Sequence, residues 1–119
     1  MPIKTFTDLD VYQLAHELAM GIFFLTKDFP KEEKYSLIDQ FRRSSRSIAV
    51  NIAEGWGKRV YPANFKKYLI DSNGSLEETK SWLLFAKNCD YLNIEQFNLL
   101  ILKNEAIGGK LWRLHDQWK

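Results

Sequence analysis

Four stretches of this chain place apolar or small residues at steps of three and four, and no stretch alternates for long. Val11, Ala15, Leu18, Ile22, Leu25 and Phe29 form the first set, and Ile38, Phe41, Ser45, Ile48 and Ile52 the second. Phe65, Leu69, Ser72, Leu76, Thr79, Leu83 and Ala86 form the third. Phe97, Ile101, Asn104, Gly108, Leu111, His115 and Trp118 form the fourth, widened by Leu100, Ile107 and Leu114. With 3.6 residues per turn, such steps put every member of a set on one helical face. A strand needs a period of two, so the pattern predicts an all-α protein.

The breaks between sets carry helix punctuation. Helix one is expected over Asp8–Asp28, with Thr7 as N-cap and acids in the first turn where the dipole favours them. Pro30 ends it and opens helix two, expected over Lys31–Glu54, with Gly55 as the left-handed residue after its C-terminus. Residues 57–61 read as a loop, and Pro62 opens helix three, which runs to Asn88. Gly74 lies inside that helix, at about 1 kcal/mol against alanine, and with Ser72 and Ser75 it predicts close helix packing. Asn93 followed by Gln96 is a capping-box pattern for helix four. Short connections favour antiparallel neighbours, so an antiparallel up-down four-helix bundle is expected, one domain over residues 1–119.

Three helices carry more apolar surface than one bundle face needs. Ile22-Phe23-Phe24-Leu25, Trp82-Leu83-Leu84-Phe85-Ala86 and Leu99-Leu100-Ile101-Leu102 are unbroken runs. Four residues at about 100° each sweep most of a helix's circumference. A second buried face, and hence a homo-oligomer, follows as an expectation.

Composition excludes several classes. The chain is 45% hydrophobic and 27% charged, a globular balance. Its one cysteine, Cys89, permits no internal disulfide and no zinc site. No apolar run approaches a membrane span, and Met1-Pro2-Ile3-Lys4-Thr5 has no leader-like apolar core, so a cytoplasmic protein with no membrane partner is expected. His16 and His115 have no second ligand at metal spacing, and Glu77 and Glu78 are adjacent and diverge around their helix. Gly55-Trp56-Gly57-Lys58-Arg59 lacks the spacing of a phosphate loop and follows a helix. No enzyme, metal or cofactor is expected.

Positive charge is concentrated instead. Residues 42–67 hold Arg42, Arg43, Arg46, Lys58, Arg59, Lys66 and Lys67 against one acid, Glu54. That segment carries +6 in a chain of net charge +2, so the remainder is −4. Such a gathering predicts an anionic partner, with arginine forks on phosphate and Trp56 and Tyr61 as stacking groups for unpaired bases. The plainer alternative is a solvated face, with Trp56 packed against the bundle end. Asn51 and Glu54 share a face near the end of helix two. They either hold a partner or tie down local backbone, and an acid at a helix C-terminus calls for a compensating bond.

The same region carries a family resemblance. Phe6-Thr7-Asp8-Leu9 with Val11-Tyr12, Phe29-Pro30, Gln40-Phe41-Arg42-Arg43, Ser47-Ile48, Asn51-Ile52-Ala53-Glu54-Gly55 and Gly74-Ser75-Leu76-Glu77-Glu78 stand in order and spacing. The pattern resembles the four-helix-bundle proteins encoded in bacterial 23S rRNA intervening sequences. Ala49-Val50 depart from it, where many members carry proline and serine. The resemblance implies a homopentameric barrel. It also implies similarity to the accessory protein of diversity-generating retroelements, a basic pentamer that contacts nucleic acid and a reverse transcriptase. A homo-oligomer presenting repeated basic surface to RNA or DNA is the leading expectation; a protein-binding scaffold is the alternative.

Overall fold

The computed structural model describes residues 2–119. Four helices account for most of them: α1 (Asp10–Thr26), α2 (Leu37–Gly57), α3 (Pro62–Asn88) and α4 (Ile94–Gln117), with single 3-10 turns at Phe6–Asp8 and Lys31–Glu33. No strand occurs among the described residues. The helices form a four-helix bundle in which α2 and α4 each pack on α1 and α3 and lie across the core from one another.

The apolar steps locate the core. All seven positions read on α3 are buried, as are all five on α2. On α4 the packed stripe is Phe97, Leu100, Asn104, Ile107 and Leu111, while Ile101 and Gly108 are half-buried. The helix is thus rotated toward the residues that widened the seam, because Leu100 and Ile107 bury more surface than Ile101 and a glycine can.

Polar residues also stitch α2 to α3. Ser72 Oγ donates to Ile48 O at 2.8 Å, Ser75 Oγ meets Ser47 Oγ at 2.9 Å, and Thr79 Oγ1 meets Ser44 Oγ at 2.9 Å. Asn104 Nδ2 on α4 donates to Leu76 O at 3.2 Å. Among the described residues no buried side-chain polar atom lacks a partner, so these groups escape the cost of an unmade buried hydrogen bond.

Helix ends depart from the sequence reading. Thr5, not Thr7, is the cap, and it opens the Phe6–Asp8 turn in a capping box with Asp8. Leu9 then takes an extended conformation and buries its side chain, and α1 begins only at Asp10. Helix two starts at Leu37, not Lys31. The carboxylate of Glu33 accepts from Ser36 Oγ at 2.6 Å and Leu37 N at 3.4 Å, anchoring the chain ahead of the helix.

At the other end α2 continues through Gly55 to Gly57, and no glycine has positive φ among the described residues. Gly55 is therefore no left-handed cap. A Cβ on it would stand 2.7 Å from Tyr68 Cβ and 3.2 Å from Phe65 Cδ1, so its role is close approach of α2 and α3. Gly74 shows the reverse. It is exposed, and a Cβ there would meet nothing within 4 Å, so the expected close packing at Gly74 does not occur within the chain.

The left-handed residue is Asp90, with φ 61°. It closes α3 in a Schellman motif, with Tyr91 N donating to Ala86 O at 2.9 Å and Asp90 N to Lys87 O at 3.0 Å. The Asn93–Gln96 capping box then opens α4 as the spacing predicts.

Candidate nucleic-acid interface

The basic residues of α2 divide around the helix. Arg42 and Arg46 are one turn apart on the α1 side, with guanidinium carbons 4.7 and 5.8 Å from the centre of the Phe23 ring. Arg42 is half-buried and engaged. Its Nε donates to the Thr26 hydroxyl Oγ1 at 2.8 Å and its Nη2 to Phe23 O, one of the last carbonyls of α1, at 3.3 Å. Thr26 Oγ1 in turn reaches Ile22 O at 2.7 Å. Arg42 is thus a structural clamp between α1 and α2, while Arg46 is exposed beside it.

Arg43 points the other way. It is exposed and lines a polar cleft of about 300 Å³ between α2 and α3, with Gln40, Ser47, Ser75 and Glu78. Glu78 also accepts from Trp82 Nε1 at 3.1 Å.

The second basic group gathers where α2 hands over to α3. Lys58 Nζ donates to Tyr68 Oη at 2.7 Å and lies 4.8 Å from that ring's centre, and Lys67 Nζ lies 5.2 Å from the same centre. The Tyr68 phenol and the charge of Glu54 hold the Lys58 ammonium above its ordinary pKa, so it stays cationic. Lys67 also pairs with Asp71 at 3.1 Å, which offsets part of its charge. Lys66 is half-buried. Among the described residues Arg43, Arg46, Lys58, Arg59 and Lys66 form no ion pair. Arg46 and Lys58 are twelve residues apart, about 18 Å along a helix at 1.5 Å per residue.

Trp56 is not the stacking group that its basic sequence neighbours suggest. Only 8% of it is exposed, and it meets Phe65 and Trp118 edge-on at 6.2 and 5.9 Å between ring centres. Arg59 lies 4.2 Å from its centre and donates from Nη1 to Trp56 O at 2.8 Å. Trp56 therefore closes the end of the core and offers no free face to a base. Tyr61 is exposed.

Asn51 and Glu54 do not act as a pair. Asn51 Nδ2 donates to Ser47 O at 2.9 Å and Ser47 Oγ at 3.2 Å, a bond local to α2. Glu54 is exposed, and the compensating hydrogen bond expected for it is not formed among the described residues. Tyr68 is the neighbour of the basic cluster that the sequence reading missed. Its position directly after Lys66-Lys67 was the available signal, but only the α2–α3 packing brings it to Lys58.

The described residues hold no group of three His, Cys, Asp or Glu side chains placed to bind a metal. No helix is long and apolar enough to cross a membrane. What remains is a set of cations spread over α2 and the start of α3, some on aromatic platforms. The family described as 23S rRNA-intervening sequence protein matches residues 7–113. The chain belongs to that family. The match spans both basic groups and all but the last few residues of α4. No curated protein matches the chain.

Proposed function

We propose that this member of the 23S rRNA-intervening sequence protein family is a non-enzymatic, nucleic-acid-associated protein that works as a homo-oligomer. RNA is its primary partner in this reading. Exposed Arg43, Arg46, Lys58 and Arg59, with half-buried Lys66 beside them, all without ion pairs among the described residues, are the observation that carries it. Each phosphate met by such a group releases counterions, and repeating the surface around an assembly multiplies the effect. The pairings of Asp10 with Lys110, Glu17 with Lys103, and Ser72 with Ile48 support an antiparallel up-down order of helices. The pentameric number extends the family resemblance, and a cytoplasmic setting belongs to the same proposal.

A titration with single-stranded RNA across salt concentrations tests the reading. Affinity should fall steeply as salt rises, with a log–log slope of about 0.7 per phosphate contacted. Arg43→Glu with Arg46→Glu should weaken binding to every sequence alike and flatten that slope. Binding that keeps its affinity and slope in the double variant removes the α2 cations from the interface. Arg42 is left out of the pair because its substitution unseats the end of α1.

The scaffold reading retains one supporting observation, the exposed apolar side chains on α1, α3 and α4. A protein partner, such as a reverse transcriptase, that stays bound after nuclease treatment would favour it.

A further inference from the structure

Three cations share one aromatic ring where the end of α1 lies against α2. Lys27 Nζ is 4.8 Å from the centre of Phe23, and the guanidinium carbons of Arg42 and Arg46 are 4.7 and 5.8 Å from it. Arg42 is bonded to α1, but Lys27 and Arg46 are exposed and form no ion pair among the described residues. Asp28 and Asp39, the nearest acids along the chain, pair with neither.

The same ammonium reaches a second ring. Lys27 Nζ lies 5.2 Å from the centre of Phe24. Phe24 meets Phe23 edge-on, with 5.3 Å between centres and 72° between planes. It is 57% exposed, so Phe23 and Lys27 hold the ring in place and leave more than half of the residue to water.

An exposed phenylalanine alone is ordinary surface. Here the ring stands among cations that no carboxylate answers, and that restricts what can cover it. An apolar protein face laid over Phe24 also strips water from Lys27 and leaves its charge unpaired, which is strongly unfavourable. A single strand of nucleic acid supplies both halves at once: a base to stack on the ring, and phosphates for the ammonium and the guanidinium. A duplex supplies only phosphates, because its bases are stacked on one another.

Phe24 also provides what Trp56 and Tyr68 cannot. Trp56 is sealed by Phe65, Trp118 and Arg59, and Tyr68 is half-buried beside Lys58 and Lys67. The sequence gives no sign of the pairing, since Lys27 lies outside the basic run and Phe24 reads as part of an apolar one.

Resting on the RNA contact in the proposed function, we infer that Phe24, Lys27 and Arg46 form a subsite for an unpaired nucleotide. The base stacks on Phe24, and Lys27 and Arg46 take the phosphates beside it. Such a subsite distinguishes a single strand from a duplex, which cations alone do not.

Fluorescence anisotropy on the full chain tests this, with an oligouridine of about ten nucleotides and a G·C-rich RNA duplex of equal length as probes. Circular dichroism should show equal helix content in wild type, Phe24→Leu, Phe24→Tyr and Lys27→Gln. Phe24→Leu keeps an apolar side chain and removes the π face. It should weaken oligouridine binding about 5- to 150-fold while the salt slope and the duplex affinity stay as in the wild type. Phe24→Tyr should bind as the wild type does. Lys27→Gln should flatten the oligouridine salt slope by about 0.7. A wild type that binds oligouridine in a salt-dependent way, with a Phe24→Leu variant that binds it equally well, overturns the subsite and leaves the RNA contact standing. The subsite is also overturned if Phe24→Leu weakens both probes alike, if Phe24→Tyr loses as much as Phe24→Leu, or if Lys27→Gln keeps the full slope. A wild type that binds neither probe overturns the RNA contact and the subsite with it.

Discussion

Gly55 shows how one missing side chain can set the distance between two helices. Its Cα–H face lies on Tyr68 and Phe65, and a methyl group there has no space to enter. Gly55→Ala should therefore destabilise the fold by about 1 to 3 kcal/mol, despite alanine's better helix propensity, because the overpacked contact is with side-chain atoms close to the backbone. A urea unfolding curve reads the change; a neutral or stabilised variant would show that α2 and α3 can separate freely here. Arg42 carries a similar lesson. It sits in the same cationic run as Arg43 and Arg46, yet its guanidinium is bonded to Thr26 and Phe23 and its charge serves the end of α1. Trp56, aromatic and flanked by cations in sequence, belongs to the core for the same reason: its neighbours in space are Phe65 and Trp118.

The helix ends show where local chemistry decides structure. At the α3–α4 corner, Asp90 holds a left-handed conformation that a Cβ disfavours, and Asn93 caps the next helix. Asp90→Gly should stabilise the protein by up to about 1 kcal/mol, and Asn93→Ala should destabilise it by about 1 kcal/mol. Opposite shifts in the thermal midpoint would confirm both assignments; shifts of one sign would refute one of them. The start of α2 is held differently. Tyr91 Oη donates to Glu33 at 2.8 Å, linking the approach to α2 with the far corner of the bundle. Ser36 and Tyr91, in that order, hold the Glu33 carboxyl below its ordinary value. The bond to Glu33, then desolvation, push the Tyr91 phenol up to about 12.

The signs follow from which form folding favours. Folding favours the Glu33 carboxylate, so its contribution is present above the ordinary carboxyl pKa and is lost as pH falls through the depressed folded value. Folding favours the neutral phenol, so the Tyr91 contribution is complete below about pH 10 and is lost as pH rises toward 12. Tyr91→Phe should lower stability at neutral pH and lose less than the wild type between about pH 10 and 12, measured by thermal unfolding. Parallel wild-type and variant curves over that range would show that the latch does not contribute.

For the whole molecule, the arrangement that matters is the diagonal one. α2 and α4 occupy opposite corners of the bundle. One bears exposed cations, the other a charge-balanced apolar face. Each of the three apolar runs leaves large side chains in water: Phe24, then Leu84 and Phe85, then Leu99 and Leu102. The charge-reversal pair therefore tests the proposed RNA contact through salt-dependent affinity, and solution mass tests the proposed self-association.

Helix class, the buried faces of α2 and α3 and the α4 capping box were legible in the sequence, because each depends on residues within a turn or two of one another. The steps of three and four survive any tertiary arrangement that gives the helices a core. Helix two's start, the role of Gly55 and the engagement of Arg42 and Trp56 were not legible, because each depends on residues distant in the chain. Pro30-Lys31-Glu32-Glu33 reads as a helix opening until Glu33 turns out to hold Ser36, Leu37 and Tyr91. A glycine after a helical run reads as a cap until the facing helix arrives at 2.7 Å. Local periodicity thus determined what the elements are. Contacts across the bundle decided which cations remain free and where the uncovered apolar surface lies, since only packing settles which face of a helix reaches water.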